Sequence, residues 1–179
     1  MNLPEKIVAL HTALEGAALP HAFGGALALA WCTGQARGTI DIDINVFAGV
    51  AQTAAVFAAL PGEVKRSKQD MSVAKRDGQV RLWWDRTPVD LFFNTTGFHA
   101  DAAMRTRWES FAGQRIPFLS CNDIAVFKAF FNRTKDWADL EEMFAAGTLD
   151  LSKVTAVLIE YLGVDDERIE KLQGLARQR

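Results

Sequence analysis

The run from Thr39 to Phe47 constrains this chain most, because its polarity alternates without interruption. Ile40, Ile42, Ile44 and Val46 fall on one side, and Asp41, Asp43 and Asn45 on the other. A period of two is the signature of a strand with one buried face. The alternation therefore puts two carboxylates on one face, with Cα atoms two strand rises, about 6.5–7 Å, apart. Aspartate is depleted in strands, and two such groups at this spacing repel each other. A hard divalent cation with a preference for oxygen, such as Mg²⁺, is the simplest stabiliser. The bland alternative is a strand face turned to solvent.

The segments around this strand read as a mixed α and β pattern. Pro4 followed by Ile7, Val8, Leu10, His11 and Leu14 predicts an amphipathic helix ending near Gly16. His21 to Phe23 reads as a short strand, Gly24-Gly25 as a turn, and Ala26 to Thr33 as a helix closed by Gly34. Bare glycine amides at a helix start suit a triphosphate, since the dipole there is positive. Arg37 and Thr39 stand at the entrance of the Asp strand, one to pair with phosphate and the other to fix the loop. Gln52 to Leu60 predicts a helix, and the segments around Val73, Val80 to Trp84 and Val89 to Phe93 predict strands. In the last of these, Asp90 sits among apolar neighbours, where an unpartnered carboxylate is costly. Its partner is either an ion shared with Asp41 and Asp43 or a salt bridge to Arg81 or Arg86.

After Pro117 the apolar spacing becomes helical. Ser120 and Asp123 resemble a cap, Ile124, Phe127, Phe130 and Phe131 form a stripe, and helices are predicted over 136–145, 151–162 and 165–177. The boundary divides the chain into residues 1–116 and 117–179. Lys128, Arg133, Lys135 and Asp136 concentrate charge beside the apolar stripe. They are either phosphate contacts, with Asp136 orienting a cation, or an inter-helix turn whose ions pair with each other.

Composition bounds the rest. With 179 residues, 49% of them hydrophobic, twelve Phe and five Trp, disorder is excluded for most of the length. The longest nearly apolar stretch, Phe23 to Thr33, is about half of a membrane span, and no leader pattern opens the chain, so a cytoplasmic location without membrane contact is expected. Cys32 and Cys121 lie far apart and lack C-x-x-C spacing, so reduced thiols are expected. Residues 65–115 hold ten basic side chains against six acidic ones, while the stretch from Asp136 onward is acidic, which allows a phosphate-facing middle.

Gly24-Gly25, Arg37-x-Thr39-x-Asp41-x-Asp43, Asp90 and the segment Lys128 to Asp139, in this order, resemble the polymerase-beta-like nucleotidyltransferase superfamily. The nearest likeness within it is to the abortive-infection (AbiEii-like) toxins of toxin-antitoxin systems. The resemblance implies an α+β fold, a mixed β-sheet flanked by helices, with a C-terminal helical part that completes the active site. It implies that Asp41, Asp43 and Asp90 ligate Mg²⁺, and that Asp90 is the base for the attacking hydroxyl. Gly24 and Gly25 would hold the triphosphate of an NTP, and Lys128 and Arg133 would contact its phosphates. The family's later acidic residue falls on Asp136 or Asp139. Many members carry Ser after the glycine pair, where this chain has Ala26, so one phosphate-binding hydroxyl is missing. The implied reaction is transfer of a nucleoside monophosphate to an acceptor oxygen. RNA, in particular the 3′ end of tRNA, is the acceptor expected of a toxin, with a cognate antitoxin as partner. Arg76, Arg81, Arg105 and Arg107 would need to share a face to bind it, with Trp83, Trp84 and Trp108 either stacking bases or filling the core. An aminoglycoside-type antibiotic nucleotidyltransferase, or a degenerate binding module without activity, are the competing readings.

Overall fold

From Ile42 onward the alternating run forms a central strand in the computed structural model, which describes residues 1–177, while Thr39 to Asp41 precede it and Ile40, expected on the buried face, is exposed. The elements run α1 (Leu3–Gly16), β1 (His21–Phe23), α2 (Gly25–Thr33), β2 (Ile42–Gly49), α3 (Thr53–Ala59), β3 (Val64–Lys65), α4 (Lys68–Asp77), β4 (Gln79–Trp84), β5 (Thr87–Asn94), α5 (Gly97–Ala102), β6 (Arg107–Phe111), β7 (Gln114–Phe118), α6 (Cys121–Phe131), α7 (Thr134–Ala145), α8 (Leu151–Leu162) and α9 (Glu167–Arg177). The chain divides into two compact units, residues 1–27 with 38–119, and residues 28–37 with 120–179. The first contains every strand.

That first unit is built on a seven-stranded mixed sheet of order β3-β4-β5-β2-β1-β7-β6. β2 runs antiparallel to β1 and parallel to β5. Ile42, Ile44 and Val46 of β2 and Val89, Leu91 and Phe93 of β5 are fully buried or nearly so. The period-two pattern thus delivers its apolar face to the core and leaves Asp43 on the other, with Asp41 just before the strand. Helix α1 begins at a capping box between Asn2 and Glu5 and buries Ile7, Leu10 and Leu14.

Two local readings change. The segment around Val73 is the helix α4 and not a strand. Ser67 accepts from the Asp70 amide at 3.2 Å while the Asp70 carboxylate accepts from the Ser67 amide at 2.7 Å, and Gly78, at φ 68°, closes the far end. Caps at both ends outweigh one β-branched residue. The hairpin β6–β7, absent from the sequence reading, turns on Ala112 and Gly113, both at positive φ. Such a turn normally announces itself by Asn-Gly or Asp-Gly, and alanine there gives no signal.

The second unit is helical. Ser120 caps α6 by accepting from the Asp123 amide at 3.2 Å. Of the predicted stripe, Ile124 is buried, Phe127 and Phe130 are half-buried and Phe131 is exposed, whereas Leu140, Met143, Val154, Leu158 and Leu172 on the later helices are fully buried. Cys32, near the end of α2, and Cys121, which opens α6, form a disulfide, which corrects the expectation of reduced thiols. Their separation of 89 residues hides the pairing from any spacing rule. Closing so long a loop restricts the unfolded chain, and reduction is expected to lower stability by about 2–4 kcal/mol. Denaturant unfolding with and without reductant measures this, and coincident curves would refute it. No helix among the described residues is long and apolar enough to cross a membrane.

Candidate active site

In the first unit, strand register assembles the carboxylates. The β1–β2 ladder continues past Phe23, because the Gly24 amide donates to the Asp43 carbonyl at 2.9 Å. This sets the glycine pair against Asp43. Gly25 has φ +54°, and a Cβ built on it would lie 1.8 Å from Asp43 Oδ2. No residue with a side chain fits there while that carboxylate stays in place. At Gly24 a Cβ would come within 3.0 Å of Asn45 Nδ2 and 3.3 Å of Leu119 Cδ1.

Asp43 stands opposite Asp90 on β5, and Asp90 opposite Arg81 on β4. Residues directly opposite share a sheet face, so the three form one row across three strands. Arg81 grips Asp90 with both arms of its guanidinium, Nε to Oδ1 at 2.8 Å and Nη2 to Oδ2 at 2.7 Å, and its Nη2 lies 3.7 Å from Asp41 Oδ2. The hydrogen bonds that Arg81 donates to Asp90, and the charges of Asp90, Asp41 and Asp43, outweigh desolvation and raise the proton affinity of Arg81. All three carboxylates therefore act on one guanidinium. Of the two partners the sequence offered Asp90, the salt bridge to Arg81 is formed. Thr39 fixes the approach, its hydroxyl accepting from the Asp41 amide at 3.1 Å and donating to the Asp41 carbonyl at 3.3 Å.

The donor chemistry is that which a hard divalent cation takes, but the three carboxylates do not bring ligand oxygens within 4.8 Å of one another here, so holding one ion together would require their side chains to draw closer. The donor set consists of carboxylate oxygens alone, three negative charges facing one arginine, with Asp41 substantially exposed. Asp41, Asp43 and Asp90 are the residues that would hold it.

The second unit gathers the remaining candidates. Lys128, although buried, donates to Asp139 Oδ2 at 2.6 Å and lies 3.6 Å from Asp136 Oδ1. Arg133 forks onto Asp136, Nε to Oδ2 at 2.6 Å and Nη2 to Oδ1 at 3.0 Å. Arg37 bridges Asp139 and Glu142. The two aspartates between which the sequence left a choice thus divide the cations, Asp136 serving Arg133 and Asp139 serving Lys128 and Arg37. Burial alone would raise the Asp136 pKa, but the Arg133 hydrogen bonds with the charges of Arg133 and Lys128 bring it below the usual carboxylate range. Arg37, Lys128 and Arg133 are all engaged by carboxylates. The reading of this segment as ions that pair with each other describes these contacts, and the Arg37–Asp139 pair, 102 residues apart, carried no local signal.

Three arginines of the basic middle are ion-paired. Arg76 binds Asp77, Arg81 binds Asp90, Arg107 binds Glu109, and Arg105 lies over the ring of Phe98. Trp84 is core, whereas Trp83 and Trp108 are 45% and 44% exposed.

No family model and no curated protein matches this sequence. Solved structures do resemble it. ANT(2″)-Ia, determined in complex with adenylyl-2″-tobramycin, superposes with a TM-score of 0.60 at 14% identity, covering 98% of this chain and 97% of that one. An antigenic nucleotidyltransferase-like protein from Paracoccidioides brasiliensis gives 0.60 at 14% identity, covering 99% and 88%. The lincosamide antibiotic adenylyltransferase LnuA, lincomycin-bound, gives 0.54 at 13% identity, covering 79% and 96%. The fold is that of the nucleotidyltransferases, a mixed sheet flanked by helices with helices following it, as the resemblance implied.

Proposed function

We propose that this chain is a Mg²⁺-dependent nucleotidyltransferase, moving a nucleoside monophosphate from an NTP to an acceptor hydroxyl. The observation that carries the reading is the register that lines up Asp43, Asp90 and Arg81 across three strands, with Asp41 Oδ2 3.7 Å from the same guanidinium and a glycine held against Asp43. Mg²⁺, when bound, neutralises charge on the transferring phosphoryl group. The chain's own residues do the rest. Asp41 and Asp43 bind the ion, and Arg81 orients Asp90 and offsets part of the local charge. Its bidentate grip uses two of the carboxylate's roughly four lone-pair sites, which leaves Asp90 able to take the proton of the acceptor hydroxyl as general base. The Gly24 amide is spent on the Asp43 carbonyl, so the proposed triphosphate contacts in this unit fall to the amides of Gly25 and the residues after it, where the helix dipole is positive. Phosphate contacts by Arg37, Lys128 or Arg133 require each to exchange a carboxylate for a phosphate.

For the acceptor, the toxin reading, with tRNA as acceptor and a cognate antitoxin, rests on the sequence resemblance, and the paired arginines weaken its electrostatic basis. A small hydroxylated antibiotic is favoured by the likeness to ANT(2″)-Ia and LnuA. Incubation with Mg²⁺ and labelled NTPs against total tRNA, aminoglycosides and lincosamides tests both. Label on an acceptor, abolished by EDTA, is the expected result, and the labelled species decides between the two readings. Nucleotide binding with no transfer to any of them would point instead to a degenerate binding module.

A further inference from the structure

At the opposite end of β1 from the glycine pair lies a second constellation. Helix α1 presents His11 and Glu15 four residues apart, hence on one face. The chain then turns through Ala18, at φ 54°, and brings back His21 as the first residue of β1. One ligand atom from each of the three lies within 4.8 Å of those of the other two. Both imidazoles are buried and Glu15 is exposed.

We propose that His11, Glu15 and His21 form a transition-metal site suited to Zn²⁺, separate from the carboxylate row. The hydrogen bonding around His21 is that of a metal ligand. Its Nδ1 lies 2.8 Å from the Leu19 carbonyl, which only accepts, so Nδ1 carries the ring proton and Nε2 presents a lone pair. That lone pair meets His11 Nδ1 at 2.9 Å. A single proton therefore sits between two nitrogens. In the other neutral tautomer of His11 the ring proton sits on Nε2 instead of Nδ1, and the two facing nitrogens then present lone pairs that converge. Two nitrogens on a tetrahedral zinc at ~2.0–2.1 Å stand about 3.3 Å apart, so the pair needs to open by only a few tenths of an ångström. Edge contacts to Trp108 and Phe23, with centroids 6.0 Å away in each case, restrain the two rings. A cavity of about 450 Å³, lined among others by Glu15, His21, Phe47, Thr106, Trp108 and Pro117, gives an entry path and space for a fourth ligand. Imidazole nitrogen with one carboxylate selects Zn²⁺ over Mg²⁺.

The test is titration of EDTA-treated protein with Zn²⁺ by calorimetry and with Co²⁺ by visible absorption, in excess Mg²⁺ to satisfy the carboxylate row. One equivalent per chain is expected, with the intense absorption of tetrahedral Co²⁺. His11→Gln is expected to weaken binding about 100-fold, and Glu15→Gln about 10-fold. Asp43→Asn is expected to leave it unchanged. Glu15 is exposed, so its variant keeps the test decisive if His11→Gln fails to fold. Absence of stoichiometric binding, binding indifferent to Glu15→Gln, or binding lost in Asp43→Asn would each overturn the proposal and leave the histidines as a hydrogen-bonded pair.

Discussion

Asp43→Asn is expected to lower nucleotidyl transfer by about 10³-fold, equivalent to ~4 kcal/mol of transition-state stabilisation. The substitution keeps the shape of the side chain and the Asp43 carbonyl that accepts from Gly24, but it removes a charged metal ligand. Stability moves the other way or not at all. Three carboxylates face one arginine, so deleting a charge relieves repulsion. An inactive variant as stable as its parent is the signature of a functional carboxylate, whereas a purely structural one would lose stability and keep its rate. Steady-state transfer kinetics beside denaturant unfolding separate the two, and activity within about tenfold of the parent would remove Asp43 from the machinery.

Gly25→Ala follows from a different physical constraint. The added methyl would sit 1.8 Å from Asp43 Oδ2 at a backbone φ of +54°. The left-handed conformation costs an alanine about 1–2 kcal/mol, and the overlap forces the carboxylate or the turn to move. A displacement of about 1 Å of a positioned group costs on the order of 10²-fold in rate. Transfer is therefore expected to fall about 10²-fold, with weaker NTP binding. Gly38→Ala is the control, since a Cβ there meets nothing within 4 Å, and its kinetics should match the parent. Comparable rates for Gly25→Ala and Gly38→Ala would show that the close approach of the turn to Asp43 has no role.

Much of this site is legible in the sequence because it is carried by short-range periodicity. Alternation declares the strand from Ile42 onward and the side on which Asp43 lies, though not that the strand begins only after Asp41, and the glycine pair marks a turn before a helix. The sequence cannot show that Gly25 abuts Asp43, because that depends on the register between β1 and β2, fixed by tertiary pairing. The partner of Asp90 is similar: Arg81 is one of two arginines within reach along the chain, and only the β4–β5 register selects it. Long-range pairs escape altogether, as Cys32 with Cys121 and Arg37 with Asp139 illustrate. Val73 misleads for the opposite reason, since a local strand preference yields to helix caps at Ser67 and Gly78.

The central claim is that Asp41, Asp43 and Asp90 share a divalent cation. Its most direct measurement is anomalous diffraction from crystals of the protein grown with Mn²⁺, in place of Mg²⁺, and a non-hydrolysable NTP. The account predicts an anomalous peak bridging oxygens of Asp41 and Asp43, with Asp90 oriented toward the same ion. Bound nucleotide with no peak at these carboxylates, and Asp90 still held solely by Arg81, would contradict it.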